Sequence, residues 1–488
     1  MKYYHKFIPV ITFIFQVYAA DSLRINYSGM PYFTEGILNS EISSYFSLQD
    51  QSPSGSVPII VDRLLDFYSE KGFPLAVVKT DSLKIIEDTA ILYLNIESGE
   101  YVKYDKVEFR GNKITGPDAL LKQSQIKLKS RFSESELKDA CSLIYKTRLF
   151  KEQPKFSIIR TGESYGIMIK VEEKKYILVM LMGGYSAGER KDEFSGLAEI
   201  RADNIFGTFR KAEIKWERNG GENESLKLKY IEPFILNYLI SSRIYFDQKY
   251  RNGYFLSREY GLEETFDMDT RSSVRAGISR KTIYTDSLYY GSRNDIETDR
   301  YSGGLNYSSG NISEAIPRKG GFFIDGEIAT INIDIKDSVK LNGTGIGLSA
   351  GFMKEINRNY FLKVSALYNQ VIFDEEIPEF NRIYFGGASS LRGYREDFFN
   401  SDIFIRKNLD LYFVPDTEDL AFNLFFENAF FNSSMLNIQK PEKLTSLQSY
   451  GGGIIIQFRS GEVSAIIGIP ADTGFSESMI HIRYSVMF

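Results

Sequence analysis

Two kinds of hydrophobic periodicity divide this chain of 488 residues. From about residue 21 to 175, short alternating stretches are mixed with stretches in which apolar residues recur at helical spacing. From Tyr176 to the C-terminus the helical spacing disappears and only alternation recurs. Helical spacing indicates amphipathic helices, and alternation indicates strands with two unlike faces. The pattern predicts α+β domains followed by an all-β domain over 176–488.

The α+β region opens with an alternating strand from Leu23 (LRINYSG) and a helical stretch near Glu35 to Tyr45. A stronger helix is predicted from about Pro58 to Lys71, because its apolar residues share one face. The Gly-Phe-Pro sequence that follows ends this helix, since glycine favours the C-terminal position and proline cannot continue a helix. Two strands, LAVVKTDSLKII and AILYLNIESG, complete a first domain predicted over 21–100.

The same order of elements recurs immediately afterwards. A strand over Lys106 to Asn112 is followed by a short helix at Pro117 to Gln123 and a longer one at Ser133 to Thr147. The stretches PKFSIIRTG and YGIMIKVEEK are then predicted to be paired strands. A β-α-α-β-β unit that occurs twice is an internal repeat, so we predict a second domain over 101–175.

Alternation in the all-β region separates an aromatic, apolar face from a strongly charged one, strand after strand. A soluble β-sandwich also alternates, but a heavily charged face opposite an aromatic one is typical of a transmembrane β-barrel with a polar interior. Counting the stretches predicts about sixteen antiparallel strands, an even number that returns the C-terminus to the side on which the barrel begins. In the last strand, the apolar face carries Ile480, Ile482, Tyr484, Val486 and Phe488.

Connections between the predicted strands alternate between short turns and long polar loops, with one exception. Short periplasmic turns and long extracellular loops are the usual asymmetry of such barrels. The stretch near Ser309 to Gly320 is long, although counting puts it on the periplasmic side. The predicted turns are 203–207, 232–234, 415–419 and 459–461, and the predicted loops are 285–296, 374–401 and 432–448.

Composition narrows the function classes further. The chain has 32 Tyr and 37 Phe beside a single Trp, which aromatic girdles or a very large core would explain, and its 39 Gly favour a β structure. The net charge of −5 argues against nucleic acid as a partner. One cysteine, Cys141, excludes an internal disulfide, and the two histidines, His5 and His481, are too few for a histidine-rich zinc site. With one cysteine and one histidine in the expected mature chain, we predict no enzyme activity, metal or cofactor; chemistry by carboxylates alone stays open but has no positive evidence.

The first twenty residues are predicted to be a secretory signal peptide. Lys2 and Lys6 precede an apolar run over 7–20, which is shorter than the roughly 20 residues needed to span a bilayer. Ala19 supplies a small residue at the cleavage site, so the mature chain is expected to begin near residue 20 or 21, without His5. No cysteine stands directly after the run, which argues against a lipoprotein.

The repeated unit resembles the POTRA domain, a periplasmic module that binds polypeptides. The resemblance implies that a client is bound by strand addition at an exposed sheet edge, a mode that recognises backbone rather than sequence. A pair of generic α+β domains is the alternative interpretation. The matching positions are Tyr68 with Gly72-Phe73, the stretch VEFRGN at 107–112, and Tyr145 with Leu149-Phe150.

The segment Tyr384 to Phe399, YFGGASSLRGYREDFF, lies between the eleventh and twelfth predicted strands. It resembles the sixth-loop motif of the outer-membrane assembly and secretion barrels, the superfamily of BamA, TamA and the two-partner secretion transporters. The resemblance implies an extracellular loop that folds back into the lumen, where its arginine contacts an acidic residue of the wall. The alternative is a glycine-rich turn with a solvated arginine. The motif positions are Gly386, Gly387, Leu391, Arg392, Gly393 and Tyr394.

Two residues compete as the acidic partner of Arg392. The family pattern is similar to Phe-Phe-Asp-x-Gly, and the matching stretch here is Phe-Phe-Glu-Asn-Ala at 425–429, which departs from it at two positions. Alternation in this stretch turns Glu427 to the lumen. Alternation in the preceding strand turns Asp410 inward as well, together with Arg406. A cation in a confined lumen requires a paired carboxylate, so both acids stay candidates.

The C-terminal strand completes the resemblance, which covers nearly the whole mature chain. A terminal aromatic residue on an alternating last strand is the usual targeting signal of such barrels. The predicted signal consists of Tyr484, Val486 and Phe488.

The resemblance implies a protein of the bacterial outer membrane whose N-terminal domains lie in the periplasm. The leading expectation is an assembly factor that captures unfolded outer-membrane or secreted polypeptides with its POTRA arm and assists their insertion or translocation. Outer-membrane lipid and accessory periplasmic or lipoprotein subunits are the other expected partners. The alternatives are a two-partner secretion transporter for one dedicated protein, and a passive pore or surface adhesin. The short stretch before the first predicted strand, near Leu23, argues against the transporter.

Overall fold

The computed structural model contains two compact units. The first consists of described residues within 1–110, 124–142 and 154–171, and the second of those within 111–123, 143–153 and 172–488. The predicted domain limits, the signal peptide and His5 stay predictions, and the last two lie outside the described residues. The structure describes residues 22–43, 53–86, 89–162, 164–186, 193–219, 223–235, 239–252, 254–285, 295–310, 316–335, 340–375, 377–417, 419–432, 444–458 and 461–487.

The first repeat has the predicted β-α-α-β-β order. Its sheet has the strand order β1-β3-β2, with β1 parallel to β3 and β2 antiparallel to it. Leu38, Leu64 and Tyr68 of the two helices form one buried cluster with Leu92 and Leu94 of β3, so the helices cover one face of the sheet. The elements are β1 (Ser22–Met30), α1 (Glu35–Ser43), α2 (Pro53–Glu70), β2 (Val77–Ile86) and β3 (Thr89–Glu97).

The predicted start of α2 was wrong. The sequence places Pro58 first, whereas the helix begins at Pro53 and contains Pro58. Pro58 is the sixth residue of the helix, past the first turn, where proline removes one backbone hydrogen bond and its ring crowds the preceding turn, although its fixed φ of about −65° still suits a helix. A proline is therefore compatible with the beginning of a helix without marking its first residue.

The second repeat contains the same order with one extra two-residue strand. Its sheet has the order β5-β4-β7-β6, with β4 and β7 parallel. Helix α4 buries Leu137, Cys141 and Ile144, which recur at helical spacing. Burial raises the pKa of the Cys141 thiol to about 11, so this thiol is not activated as a nucleophile. The elements are β4 (Lys103–Arg110), α3 (Pro117–Ser124), β5 (Ser130–Arg131), α4 (Glu134–Lys146), β6 (Lys155–Thr161) and β7 (Ser164–Lys170).

Within the first compact unit, Glu70 joins the end of α2 to the beginning of α4. Its carboxylate accepts hydrogen bonds from the Ser133 hydroxyl at 2.6 Å, the Ser135 N–H at 2.6 Å and the Ser135 hydroxyl at 2.7 Å. Partial burial raises the pKa of Glu70, but these hydrogen bonds outweigh it and hold the pKa below its ordinary 4.5. The negative charge also suits the positive end of the α4 dipole.

We expect Glu70→Ala to loosen this junction by about 1–3 kcal/mol, because three donors lose a charged acceptor. Hydrogen exchange of the full chain in detergent should show faster exchange of the α4 first-turn amides. Because the folded-state pKa is depressed, the wild-type protection should be present above pH 4.5 and disappear as the pH falls through the folded-state pKa. Glu136→Gln, an exposed change in the same turn, is the control; equal exchange in both variants would contradict the assignment.

The second compact unit contains a closed antiparallel barrel of sixteen strands, which confirms the predicted number and class. A separate hairpin of β19 (Ile383–Phe385) and β20 (Phe399–Ser401) lies in one of its connections. The barrel strands are β8 (Ile177–Ser186), β9 (Glu193–Ile205), β10 (Arg210–Asn219), β11 (Asn223–Glu232), β12 (Ile240–Arg251), β13 (Phe255–Asp267), β14 (Ser272–Thr285), β15 (Asp295–Ser309), β16 (Gly321–Ile335), β17 (Lys340–Asn357), β18 (Tyr360–Phe373), β21 (Ile403–Phe413), β22 (Leu420–Phe431), β23 (Thr445–Phe458), β24 (Gly461–Pro470) and β25 (Met479–Met487).

Pairing of the last strand with the first closes the barrel. The register of β25 against β8 runs from Ile480 opposite Tyr185 to Met487 opposite Leu178. Ile480, Ile482 and Tyr484 are exposed on the outer face, as the alternation predicts. Among the described helices, none has both the length and the apolar character required to cross a membrane.

The two ends of the barrel carry different connections. We call the end at which β8 begins the turn end and the opposite end the loop end. All four predicted turns, and the long stretch between Ser309 and Gly321, lie at the turn end. The three predicted long loops lie at the loop end, but other strand pairs there are separated by short connections. The alternation in length is therefore weaker than predicted, since the connections 220–222, 252–254 and 336–339 are as short as turns.

The two faces of the wall exchange character along β16. Its outward residues change from apolar to polar after Ile328, and its inward residues change from charged to apolar at Ala329. Towards the loop end, this wall is therefore polar outside and apolar inside. The apolar interior packs against Phe380 of the segment that joins β18 to β21. The cluster comprises Phe255, Ile283, Ile296, Ile331, Ile333, Leu341 and Phe380.

Candidate functional site

The segment 374–402 joins β18 to β21, and we call it the lumen loop. It begins with a short 3-10 turn at Glu379–Asn381 and contains the β19–β20 hairpin. Its side chains and backbone bond to inward-facing residues of β12, β14, β21 and β22. Because those residues face the barrel interior, the loop lies inside the lumen.

Glycines shape the turn that presents the motif. Gly386 and Gly387 adopt φ of +120° and +86°, a region that favours residues without a Cβ. A Cβ on Gly387 would collide with the Glu396 carboxylate. That carboxylate accepts the Ala388 N–H at 3.0 Å and the Ser389 hydroxyl at 2.9 Å, so it closes the turn from within the loop.

Arg392, at the tip of this turn, contacts both predicted acids. Its backbone N–H and its Nε donate to the two oxygens of Glu427, at 2.7 and 2.8 Å. Its Nη2 donates to Asp410 Oδ1 and Asn408 Oδ1, each at 3.0 Å. The guanidinium also lies 3.6 Å from the centre of the Phe425 ring, a cation–π arrangement. Both acids, Asp410 and Glu427, therefore pair with Arg392.

The charge network is almost completely buried. The Arg392 side chain is 12% exposed, and those of Asp410 and Glu427 are 3% and 2% exposed. Carboxylates at this depth require a cation and hydrogen-bond donors. Asn408 and Asn423 supply two of these donors, at 2.6 and 3.3 Å from Asp410. Removal of the arginine would leave two buried carboxylates without the cation to which they are hydrogen-bonded.

The sequence pattern did not identify Asn408, Asn423 and Phe425 as members of the network. Alternation was the available signal, because these residues face inward with Asp410 and Glu427 on the same two strands. Arg406, predicted to face inward, donates from Nη1 to the carbonyl oxygen of Ser390 at 2.6 Å. It therefore supports the backbone of the loop just before Arg392.

Apolar and aromatic contacts hold the rest of the motif. Leu391 is fully buried in a cluster with Phe385, Phe404 and Phe431. The Tyr394 hydroxyl lies 3.0 Å from the carbonyl oxygen of Gln448 and 3.0 Å from Asp472 Oδ1. The six motif residues thus belong to one packed unit that rests on the β21–β24 wall.

Gly393 lies directly against Gly468 of β24. Gly393 has φ of +93°, and a Cβ there would approach the Gly468 carbonyl carbon to 3.1 Å. A Cβ on Gly468 would lie 2.8 Å from the Gly393 Cα and 3.0 Å from the Arg392 carbonyl carbon. The approach is backbone to backbone, so a side chain at either position would require the loop or the strand to move.

The structure describes two of the three residues of the predicted C-terminal signal. Tyr484 is exposed and Val486 is half-buried on the outer face of β25, whereas Phe488 lies outside the described residues. His481 faces the interior from the same strand. Within the described ranges, His, Cys, Asp and Glu side chains do not gather in groups of three or more that could hold a metal ion.

The fold and the site define a class: a closed sixteen-stranded barrel with an N-terminal α+β arm and an internal loop latched through a buried arginine. No family model matches the chain, and no curated protein matches it in sequence. Solved structures do match, at low sequence identity, and two of the barrels they contain are BamA and CdiB.

Three of these structures cover almost the whole chain. BamA from Haemophilus ducreyi lacking POTRA domains 1-3 is 15% identical, with a TM-score of 0.57, over 96% of this chain and 100% of that chain. CdiB from Acinetobacter baumannii is 13% identical, with a TM-score of 0.58, over 99% and 94%. CdiB from Escherichia coli is 12% identical, with a TM-score of 0.61, over 99% and 93%. The likeness is one of fold, and at that level it confirms the resemblance to the assembly and secretion barrels.

Proposed function

We propose that this protein assists the insertion or translocation of other polypeptides at the bacterial outer membrane. The observation that carries the proposal is the lumen loop, held on the inner wall by the buried Arg392 network. A long segment fastened inside the lumen narrows the channel for passive diffusion. A machine that handles polypeptides gains a movable element next to the strands that close its barrel.

The proposed location follows from the outer face of the barrel. Exposed apolar residues such as Leu181, Ile244, Leu424 and Ile482 surround it, as contact with lipid would require. We place the turn end in the periplasm and the loop end outside the cell, because the N-terminal arm precedes β8 at the turn end. The predicted signal peptide would direct the chain to this compartment.

The N-terminal arm supplies a binding surface for an unfolded client. Strand β2 lies at the edge of its sheet and exposes Val77, Ile85 and Ile86. An extended polypeptide can add to such an edge through backbone hydrogen bonds, so many different clients would fit. The two repeats are interpreted here as POTRA domains, which is part of the proposal.

Client folding would supply the driving force. The sequence contains no P-loop motif for nucleotide hydrolysis. In lipid, every backbone polar group of a client must be hydrogen-bonded, so barrel closure is strongly favoured. In this proposal, the protein lowers the activation barrier to closure of the client barrel and leaves the free energy of the folded client unchanged.

Reconstitution tests the proposal directly. The purified full chain in liposomes should accelerate insertion of a urea-unfolded porin over liposomes of the same lipid without protein. Folded porin is measured by its heat-modifiable gel mobility. An insertion rate no higher than that of empty liposomes would refute the proposal.

A second candidate is a two-partner secretion transporter, favoured by the likeness to two CdiB structures over 99% of this chain. Such a transporter would export one dedicated protein and would leave unrelated porins unaffected. Porin insertion together with no export of a protein encoded beside it would exclude this candidate. A passive pore or adhesin would instead show large, steady conductance and no client bound to the arm.

A further inference from the structure

The lumen loop has a second contact with the barrel wall. This contact is with β12, on the side of the barrel away from the strands that bind Arg392. Arg251, at the loop end of β12, donates from Nη2 to the carbonyl oxygen of Asp397 at 2.8 Å. Its guanidinium lies 3.9 Å from the centre of the Tyr384 ring. Lys249 on the same strand lies 3.4 Å from Asp397 Oδ2. Two cations of one strand therefore hold the base of the loop hairpin.

A third cation extends this contact to the beginning of the loop. Lys281 of β14 donates from Nζ to the carbonyl oxygen of Phe380 at 2.9 Å. The Phe380 ring is buried in the apolar cluster between β13 and β17. We call Lys249, Arg251 and Lys281 the cationic clamp, and Asp410 and Glu427 the acidic clamp.

The two clamps lie on nearly opposite walls. In the closed strand order, six strands (β13 to β18) separate β12 from β21 in one direction. Eight strands (β22 to β25 and β8 to β11) separate them in the other. The lumen loop therefore crosses the barrel interior and is bound to the wall at both ends.

The two ends differ in their exposure to water. At the acidic clamp, Arg392 is 12% exposed and its two acids 3% and 2%. At the cationic clamp, Lys249 is 40% exposed and Asp397 is 24% exposed. Exposed ion pairs are weak and are screened by salt, whereas breaking a buried pair by removing one partner is strongly destabilising. The Lys249–Asp397 pair is therefore the contact that separates first.

We propose that Lys249 and Arg251 are positioning residues that keep the lumen loop across the channel, and that their release from Asp397 and Tyr384 opens the channel. The acidic clamp then acts as the fixed attachment about which the loop swings. The relevance of this opening to polypeptide passage rests on the proposed function. The opening itself does not, because it is a property of the barrel alone.

Single-channel conductance of the purified full chain in planar bilayers tests the proposal. The double variant Lys249→Gln with Arg251→Gln should raise the open fraction by about tenfold or more, because the loop loses its attachment to β12. Arg251→Lys keeps the cation but not the planar group stacked on Tyr384, so it should raise the open fraction less than the double variant does. Raising salt from about 0.1 M to about 1 M should open the wild type and have less effect on the double variant.

Two further variants keep the test falsifiable. Asp397→Asn removes the charge that faces Lys249, and asparagine tolerates the left-handed φ of 49° at this position. It should give an intermediate open fraction. Arg243→Gln is the matched control, since Arg243 lies inward on the same strand but pairs with Glu263 of β13. Heat-modifiable gel mobility verifies that every variant is folded.

The outcomes separate this proposal from the proposed function. An unchanged open fraction in the folded double variant, or an equal rise in Arg243→Gln, overturns the cationic clamp even if the wild type inserts porins. A rise confined to the clamp variants supports the clamp even if the wild type inserts no porin in liposomes, in which case only the proposed function fails.

Discussion

Replacing Arg392 with alanine should abolish porin insertion while the barrel still folds. The change removes the only guanidinium that contacts both Asp410 and Glu427 among the described hydrogen bonds. Breaking a buried charge network in this way costs about 3–5 kcal/mol. This loss should destabilise the docked position of the lumen loop and leave the barrel folded, because Arg392 takes no part in strand pairing. The docked population should therefore drop by roughly 10²–10³-fold or more relative to the undocked one.

Two measurements check this expectation together. Porin insertion into liposomes should fall to the level of empty liposomes, and heat-modifiable mobility of the variant should match that of the wild type. Arg392→Lys is the control, because lysine keeps the charge but not the planar fork that bonds Glu427 and Asp410 together. We expect it to retain part of the activity. Full activity of the alanine variant would remove Arg392 from the mechanism.

Replacing Gly468 with valine should release the loop tip from β24 with a comparable loss of activity. A Cβ at this position would lie 2.8 Å from the Gly393 Cα, and backbone cannot yield as a flexible side chain does. Valine suits a β-strand, so the strand itself should form normally. Overpacking of this kind costs about 1–3 kcal/mol or more, and displacement of the loop is the simplest relief.

Trypsin reports this displacement because the motif contains its own cleavage site. In the wild type the Arg392 side chain is only 12% exposed and should resist cleavage in folded protein. In the Gly468→Val variant, cleavage after Arg392 should appear under conditions in which the wild type is not cleaved at that bond. Gly303→Val is the matched control, since no atom lies within 4 Å of a Cβ built there. Resistance equal to that of the control would contradict the proposed contact.

Agreement between the sequence-based predictions and the fold depends on which interactions are local. The sixteen strands were predictable because the two faces of a strand meet unlike environments at each position along it, so alternation is set residue by residue. The same rule predicts from the sequence alone that Asp410 and Glu427 lie on the inner face. It also carried enough information to add Asn408, Asn423 and Phe425, which the sequence interpretation left out.

Connection lengths and helix ends were predicted less well. Three connections at the loop end proved as short as turns, because nothing in alternation fixes how far apart two strand ends lie. Helix α2 begins at Pro53, five residues before Pro58. The start was misplaced because a proline can lie near the beginning of a helix without being its first residue. The order of elements in the two repeats was nevertheless as predicted, since helical spacing and alternation are easily distinguished.

By itself, the sequence determined the barrel class, the inward direction of the acids and the motif that carries Arg392. Each of these depends on short-range periodicity or on a contiguous motif. Only the tertiary structure decided that Arg392 is hydrogen-bonded to both acids, that Gly393 packs against Gly468, and that Arg251 is hydrogen-bonded to Asp397 of the lumen loop. These pairs are separated by 18 to 146 residues in the sequence. They meet because the sheet closes on itself and encloses the loop, and no local pattern encodes where an enclosed loop comes to rest.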